Sequence, residues 1–208
     1  KNIFFFFLTD DYGVMPEGAL PLLQKGLEET NLGVDYVQSI LHGASAENGT
    51  LPYEMADMDM KELVENVFAK QKVYAENKGL KINLNIEKGD YIIKGDVIQL
   101  GEAIKNLIDN SINYTMEGSI DVNLSSTDRI KLVIKDTGVG ITPEDKQKLF
   151  KSGGRGAESL KINVNSTGYG LAFVKGVVEA HHGRVWAESE GLNKGATFYM
   201  EIPNLTNS

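Results

Sequence analysis

The chain has no cysteine among its 208 residues, so neither a disulfide framework nor a thiolate zinc site is available to it. That absence fits a reducing compartment. Positive charge is not in excess either: the formal net charge is −8, which argues against nonspecific nucleic-acid binding, because such binding needs a basic surface. A phosphate ligand stays open, since backbone N–H groups and a metal hold phosphate without a basic surface. Long apolar runs are missing. Residues 3–8 contain four consecutive phenylalanines but are far too few to span a bilayer, and no small-residue cleavage site follows them. They read as the end of a helix that packs on a partner helix or a second subunit. Histidine is scarce, limited to His42, His181 and His182.

What is present is the composition of a soluble globular protein, 41% hydrophobic and 24% charged, with material for one domain or one domain plus a helical appendage. Residues 1–46 read as helical but interrupted, with turn signals at Asp10-Asp11-Tyr12-Gly13 and Pro16-Glu17-Gly18. Leu23, Leu27, Val34, Val37, Ile40 and Leu41 fall near heptad spacing, which suits a hairpin or coiled-coil arm. Residues 44–50 read as a polar linker and the domain boundary.

Beyond it, Asp59 and Glu62 have capping-box spacing and open a helix to about Gly79. Strands are expected at 81–86, 91–94, 119–124, 129–134, 184–190 and 196–202. Helices are expected at 97–114 and 170–182, the second with Gly183 as its left-handed terminator and the two adjacent histidines as polarised cations at its negative end. Strands and helices in mixed order, without regular alternation, indicate an α+β fold: a two-layer α/β sandwich with a mixed sheet and helices on one face.

The helix at 97–114 carries Glu102, Asn106, Asn110 and Tyr114 every fourth residue, a polar row along one face, with Ile104, Leu107, Ile108 and Ile112 off it. Amides between apolar flanks are costly to bury unless each has a partner. Asn offers a neutral oxygen to a metal and two N–H donors to a ligand. The row suggests a pocket wall, or, on its own, a solvated stripe. Asp136-Thr137-Gly138-Val139-Gly140-Ile141 follows a strand: a carboxylate at a strand tip can accept from an exocyclic amino group, and the glycines let a flat ring approach. Asp and Gly also serve ordinary turns. Ser166-Thr167-Gly168-Tyr169-Gly170-Leu171 opens the next helix, where free N–H groups suit an anion or merely a cap. The glycine-rich segment between, 151–165, reads as a loose loop or a lid.

In this order, and with Gly195-Ala196-Thr197-Phe198 closing the series, the motifs resemble the ATP-binding catalytic domain of sensor histidine kinases, within the gyrase, chaperone, histidine kinase and mismatch-repair superfamily. The resemblance covers about residues 51–203 and implies a Bergerat-type fold over 51–208, binding ATP and Mg²⁺. It implies that Asn106 and Asn110 are the paired asparagines of this family, with Asn110 the Mg²⁺ ligand, and that Tyr114 lines the nucleotide. Asp136 would read adenine, and Gly138, Gly140 and Ile141 would shape the base pocket. Arg155 would approach the phosphates, Thr167, Gly168, Gly170 and Leu171 would present backbone N–H groups to them, and Thr197 would lie on the adenine side.

The chain departs from the family at Asn113, where a phosphate-neutralising lysine is usual, at Gly153 in place of a lid phenylalanine, and at Ser166 in place of a glycine. It also has no phosphoacceptor histidine motif. Residues 1–46 resemble part of a dimerisation hairpin, with the acceptor histidine upstream of Lys1. The implied function is transfer of the γ-phosphoryl of ATP to a histidine on such a hairpin. The implied partners are a response-regulator receiver domain and a second copy, and the implied setting is cytoplasmic, below a possible membrane anchor. A gyrase- or chaperone-type ATPase is the alternative enzyme, but its general base is a glutamate at the position held here by Asn106, and Glu102 lies one turn too early. A degenerate nucleotide-binding scaffold is the non-enzymatic alternative.

Overall fold

The computed structural model describes residues 19–154 and 168–205. In chain order the elements are α1 (Ala19–Glu47), β1 (Ala56–Asp59), α2 (Met60–Asn77), β2 (Lys81–Ile86), β3 (Ile92–Gly95), α3 (Val97–Tyr114), β4 (Ser119–Ser126), β5 (Arg129–Asp136), α4 (Pro143–Lys146), α5 (Gly170–Ala180), β6 (Arg184–Glu188) and β7 (Thr197–Pro203). The chain divides into two compact units, Lys1–Ser39 and Ile40–Ser208. In the first, α1 exposes Leu20, Leu22, Val34 and Val37.

The second unit is built on a five-stranded sheet in the order β2-β4-β5-β7-β6, parallel between β2 and β4 and antiparallel elsewhere. Alternation along its strands gives it one apolar face. Ile120, Val122 and Leu124 of β4, Ile130, Leu132 and Ile134 of β5, and Phe198, Met200 and Ile202 of β7 are all buried. Helices α2, α3 and α5 supply the matching apolar side chains, and Leu100, Ile104, Leu107 and Ile108 of α3 are completely enclosed. On the other face Trp186 stacks on Tyr199 at 4.8 Å between ring centroids, with Lys131 and Arg184 over the rings.

Three local features differ from the sequence reading. A short strand, β1, pairs antiparallel with β3, Ala56 opposite Gly95; Ala-Asp-Met-Asp alternates over only four residues and was not expected as a strand. The segment read as a linker is helical through Glu47, because Ala44 and Ala46 let the end of α1 lie against α5: Ala46 is buried, and a Cβ on Gly176 would stand 2.8 Å from it. At the end of α5, His182 rather than Gly183 takes the left-handed backbone, with φ 57°.

His181, expected as a cation, is a buried neutral ring. Its Nε2 accepts the Asp96 N–H at 2.8 Å, so the proton sits on Nδ1, which donates to Val177 O at 2.7 Å. Burial holds the imidazole below its usual range, and Tyr53 meets it edge-on. Asp96 in turn caps α3, its carboxylate accepting from the N–H groups of Ile98, Gln99 and Glu54. The end of α5 and the start of α3 are thereby joined through two adjacent hydrogen-bonded residues.

Candidate nucleotide-binding site

Asp136 ends β5 inside the protein, 4% exposed. Its Oδ1 accepts from the N–H of Gly138 at 2.9 Å and of Ala196 at 3.1 Å, and its Oδ2 faces Ser111 Oγ on α3 at 3.3 Å. Burial raises the carboxyl above the ordinary carboxylate range, and these three donors pull it partly back. A half-satisfied carboxylate at the tip of a central strand, against a helix, can serve as an acceptor for a ligand N–H group.

The turn after Asp136 is seated on the end of α3. Val139 N–H donates to Tyr114 O at 3.0 Å, and a Cβ on Gly138 would lie 2.3 Å from that same carbonyl oxygen, so only glycine permits the approach. The β6–β7 loop closes the other side. Gly195 N–H donates to Gly138 O, Asn193 N–H to Val139 O, and Ile141 N–H to Ser189 Oγ. Gly140 stands with φ 73° beside Gly191 in this junction. Thr115, next to Tyr114, is fully buried and its hydroxyl has no partner among the described residues.

One and a half turns before Ser111, α3 meets the start of α5. A Cβ on Gly170 would stand 2.7 Å from Asn106 Oδ1, while Asn106 Nδ2 donates back to Glu102 O at 2.8 Å. Among the described residues no side-chain cap is made at the start of α5. Gly168 has φ 74°, and its carbonyl accepts from Gly153 N–H at 3.2 Å, so the two described stems of the glycine-rich segment meet beside that helix start. Leu171 packs on the core.

Asn110 adjoins Ser111 on α3 and is partly buried, and its side chain makes no hydrogen bond to another described residue. Asn113 is exposed; its carbonyl and that of Ile112 accept from Lys78 Nζ at 3.1 and 2.5 Å, a cation at the negative end of α3. Arg155 and Thr167, together with Ser166, lie outside the described residues.

Against α3 the structure places Asp136 beside Ser111, Gly138 beside the Tyr114 carbonyl and Gly170 beside Asn106, while Gly140 and Ile141 lie at the β6–β7 loop and Gly168 at the stem of the glycine-rich segment. Thr197 does not join them through its side chain. Residues alternate along β7, and Thr197 shares the opposite face with Tyr199, whose hydroxyl it contacts. Its neighbour Ala196 reaches Asp136 instead, through the main chain. Sequence reasoning missed Ser111 as well; the available signal was a hydroxyl four residues after Leu107, on the stripe that faces the core.

The residues suit a nucleotide with a hydrated cation better than a protein-caged metal. Among the described residues no group of three or more His, Asp or Glu could hold a metal ion. Mg²⁺ is commonly held by one or two protein oxygens together with substrate phosphates, which matches a single free amide at Asn110 near an uncapped helix start. Gly138, where a Cβ would meet the Tyr114 carbonyl, and Gly170, where one would crowd Asn106 Oδ1, let the main chain lie close to α3.

SenX3 of Mycobacterium tuberculosis, a sensor-like histidine kinase, is 30% identical over 187 residues, covering 88% of this chain and 44% of that protein. The chain therefore spans under half the length of this relative. Full-length ShkA, solved in complex with AMPPNP, shares the fold at a TM-score of 0.76 and 23% identity, over 92% of this chain and 40% of that one. Histidine kinase ThkA, solved with the response regulator TrrA, does so at 0.67 and 20%, over 96% and 55%. Residues 95–206, which run from the start of α3 past the end of β7 and so hold every site element just described, match the family described as histidine kinase-, DNA gyrase B-, and HSP90-like ATPase, and the chain is a member of that family.

Proposed function

We propose that this chain is the ATP-binding catalytic part of a sensor histidine kinase, which delivers the γ-phosphoryl group of ATP to a histidine on a dimerisation hairpin. The observation that carries the reading is Asp136: a buried carboxylate with one oxygen saturated by backbone N–H groups and the other met only by the Ser111 hydroxyl at 3.3 Å. In this reading Asp136 accepts from the adenine amino group, and Gly138, Gly140, Ile141 and Tyr114 flank the base. Asn106 and the N–H groups at Gly168, Gly170 and Leu171 hold the phosphate end, with Arg155 and Thr167 approaching from the lid. Asn110 would offer its amide oxygen to Mg²⁺, which when bound supplies charge neutralisation on the β- and γ-phosphates. Phosphoryl transfer of this kind asks the protein for positioning and exclusion of water rather than covalent chemistry.

Residues 1–46 are assigned to part of the hairpin and 51–208 to the catalytic domain. A second copy would complete the dimer, a receiver domain would take the phosphoryl group onward, and a cytoplasmic setting follows from that role. Among the described residues no helix is long and apolar enough to cross a membrane.

Hydrolysis in the manner of gyrase is disfavoured by two residues. Asn106 has no basic oxygen at neutral pH, and Glu102 is exposed and sits near Lys105 rather than facing the site. The decisive experiment mixes the chain with γ-labelled ATP and a separate hairpin carrying an acceptor histidine. Label is expected on the hairpin and none on the chain alone. Firm ATP binding with no transfer to any hairpin would replace this reading with that of a nucleotide-binding scaffold.

A further inference from the structure

Asp136 is held unevenly. Two backbone N–H groups take Oδ1 at 2.9 and 3.1 Å, whereas Oδ2 has only the Ser111 hydroxyl, at 3.3 Å. Hydroxyl–carboxylate bonds are usually 2.5–3.0 Å, so this contact is slack and leaving it costs little. Ser111 itself is 1% exposed, on the same helix stripe as Leu107 and Ile108, which are fully enclosed. Among the described residues it has no other partner for its proton. A hydroxyl in such surroundings is stabilising only where it has a partner, and alanine would fill the same place without that requirement.

An acceptor, Asp136 Oδ2, and a rotatable donor, Ser111 Oγ, therefore stand side by side at the blind end of the site. Adenine carries the complement on neighbouring atoms of one edge: the 6-amino group donates and ring nitrogen N1 accepts. Resting on the reading of Asp136 as the adenine acceptor, we propose that Ser111 is a second base-reading residue, its hydroxyl turning from Asp136 to donate to N1 while Oδ2 accepts from the 6-amino group. A 6-oxopurine reverses both roles, presenting oxygen lone pairs to Oδ2 and an N–H to the hydroxyl. The pair thus selects a 6-aminopurine over a 6-oxopurine through two contacts.

The test is calorimetric titration of the chain with Mg·ATP and with Mg·1-deaza-ATP, in which N1 is replaced by C–H, repeated for Ser111→Ala and Ser111→Cys. One neutral hydrogen bond is worth about 0.5–1.5 kcal/mol, so the wild type should bind the deaza compound roughly 2- to 13-fold more weakly than ATP. Ser111→Ala should bind the two alike, with ATP weakened by a similar factor, and Ser111→Cys, a poorer donor, should fall between. Equal binding of both nucleotides by the wild type would overturn the proposal, and so would discrimination that persists undiminished in Ser111→Ala. Those failures leave ATP binding intact. Absence of ATP binding by the wild type would overturn the nucleotide reading of Asp136, and this proposal with it.

Discussion

Replacement of His181 probes the joint that sets α3 against α5, and pH reads it independently of the substitution. The neutral ring accepts Asp96 N–H and donates to Val177 O, both bonds lying inside the protein. His181→Ala strands the buried Asp96 N–H, costing about 1–3 kcal/mol, while Val177 O keeps the backbone N–H of residue 181, and part of the ring's volume is left empty; the loss expected at pH 7.5 is about 2–4 kcal/mol. Burial lowers the folded-state pKa of His181 below the unfolded value near 6.5. As pH falls through that unfolded value, the unfolded chain takes up a proton that the native ring resists. Wild-type stability is then lost at up to about 1.4 kcal/mol per pH unit until the native ring titrates. The alanine variant lacks this dependence, so the gap between the two proteins should narrow steadily from pH 6.5 to 5. Urea unfolding followed by Trp186, the sole tryptophan, measures both curves. The difference curve cancels Asp136, whose raised pKa works in the opposite sense; Asp96, which His181 faces, has a lowered pKa that acts at more acid pH. A gap that stays constant between pH 7.5 and 5 would refute the assignment of His181 as a buried neutral acceptor.

Two further substitutions separate folding from binding. Gly138→Ala would drive its methyl to 2.3 Å from the Tyr114 carbonyl oxygen, backbone against backbone, and should lower the urea-derived stability by about 1–3 kcal/mol. Gly170→Ala meets only the movable amide of Asn106 at 2.7 Å, so its melting temperature should stay within a few degrees while ATP affinity falls about tenfold.

Much of the second unit is legible residue by residue. Helix α3 was expected over 97–114 and forms over Val97–Tyr114, because Asp96 caps it and its apolar stripe has a clear helical period. The β4–β5 hairpin alternates cleanly, so its buried face follows from period 2 alone. What was not legible depends on partners distant in sequence. Strand β1 alternates over only four residues, too few to mark it, and exists through its ladder with β3. The end of α1 looks like a linker until Ala46 is seen against Gly176. Ser111 and Asp136 are 25 residues apart, and nothing local to either shows that they meet. Thr197 was matched by motif, but the strand's alternation turns its side chain away and brings the main chain of Ala196 to the carboxylate. His181 has the residue type of a helix-end cation, yet burial makes it neutral.

The core of the account is that Asp136 and Asn110 hold opposite ends of one Mg·ATP molecule. Titration of fluorescent ATP, with and without Mg²⁺, into the wild type, Asp136→Asn and Asn110→Ala tests this directly. The wild type should bind and tighten with Mg²⁺; Asp136→Asn should lose binding in both conditions, and Asn110→Ala should lose the Mg²⁺-dependent gain, all three keeping the same unfolding free energy in urea within about 1 kcal/mol. Undiminished affinity and metal dependence in both variants would contradict it.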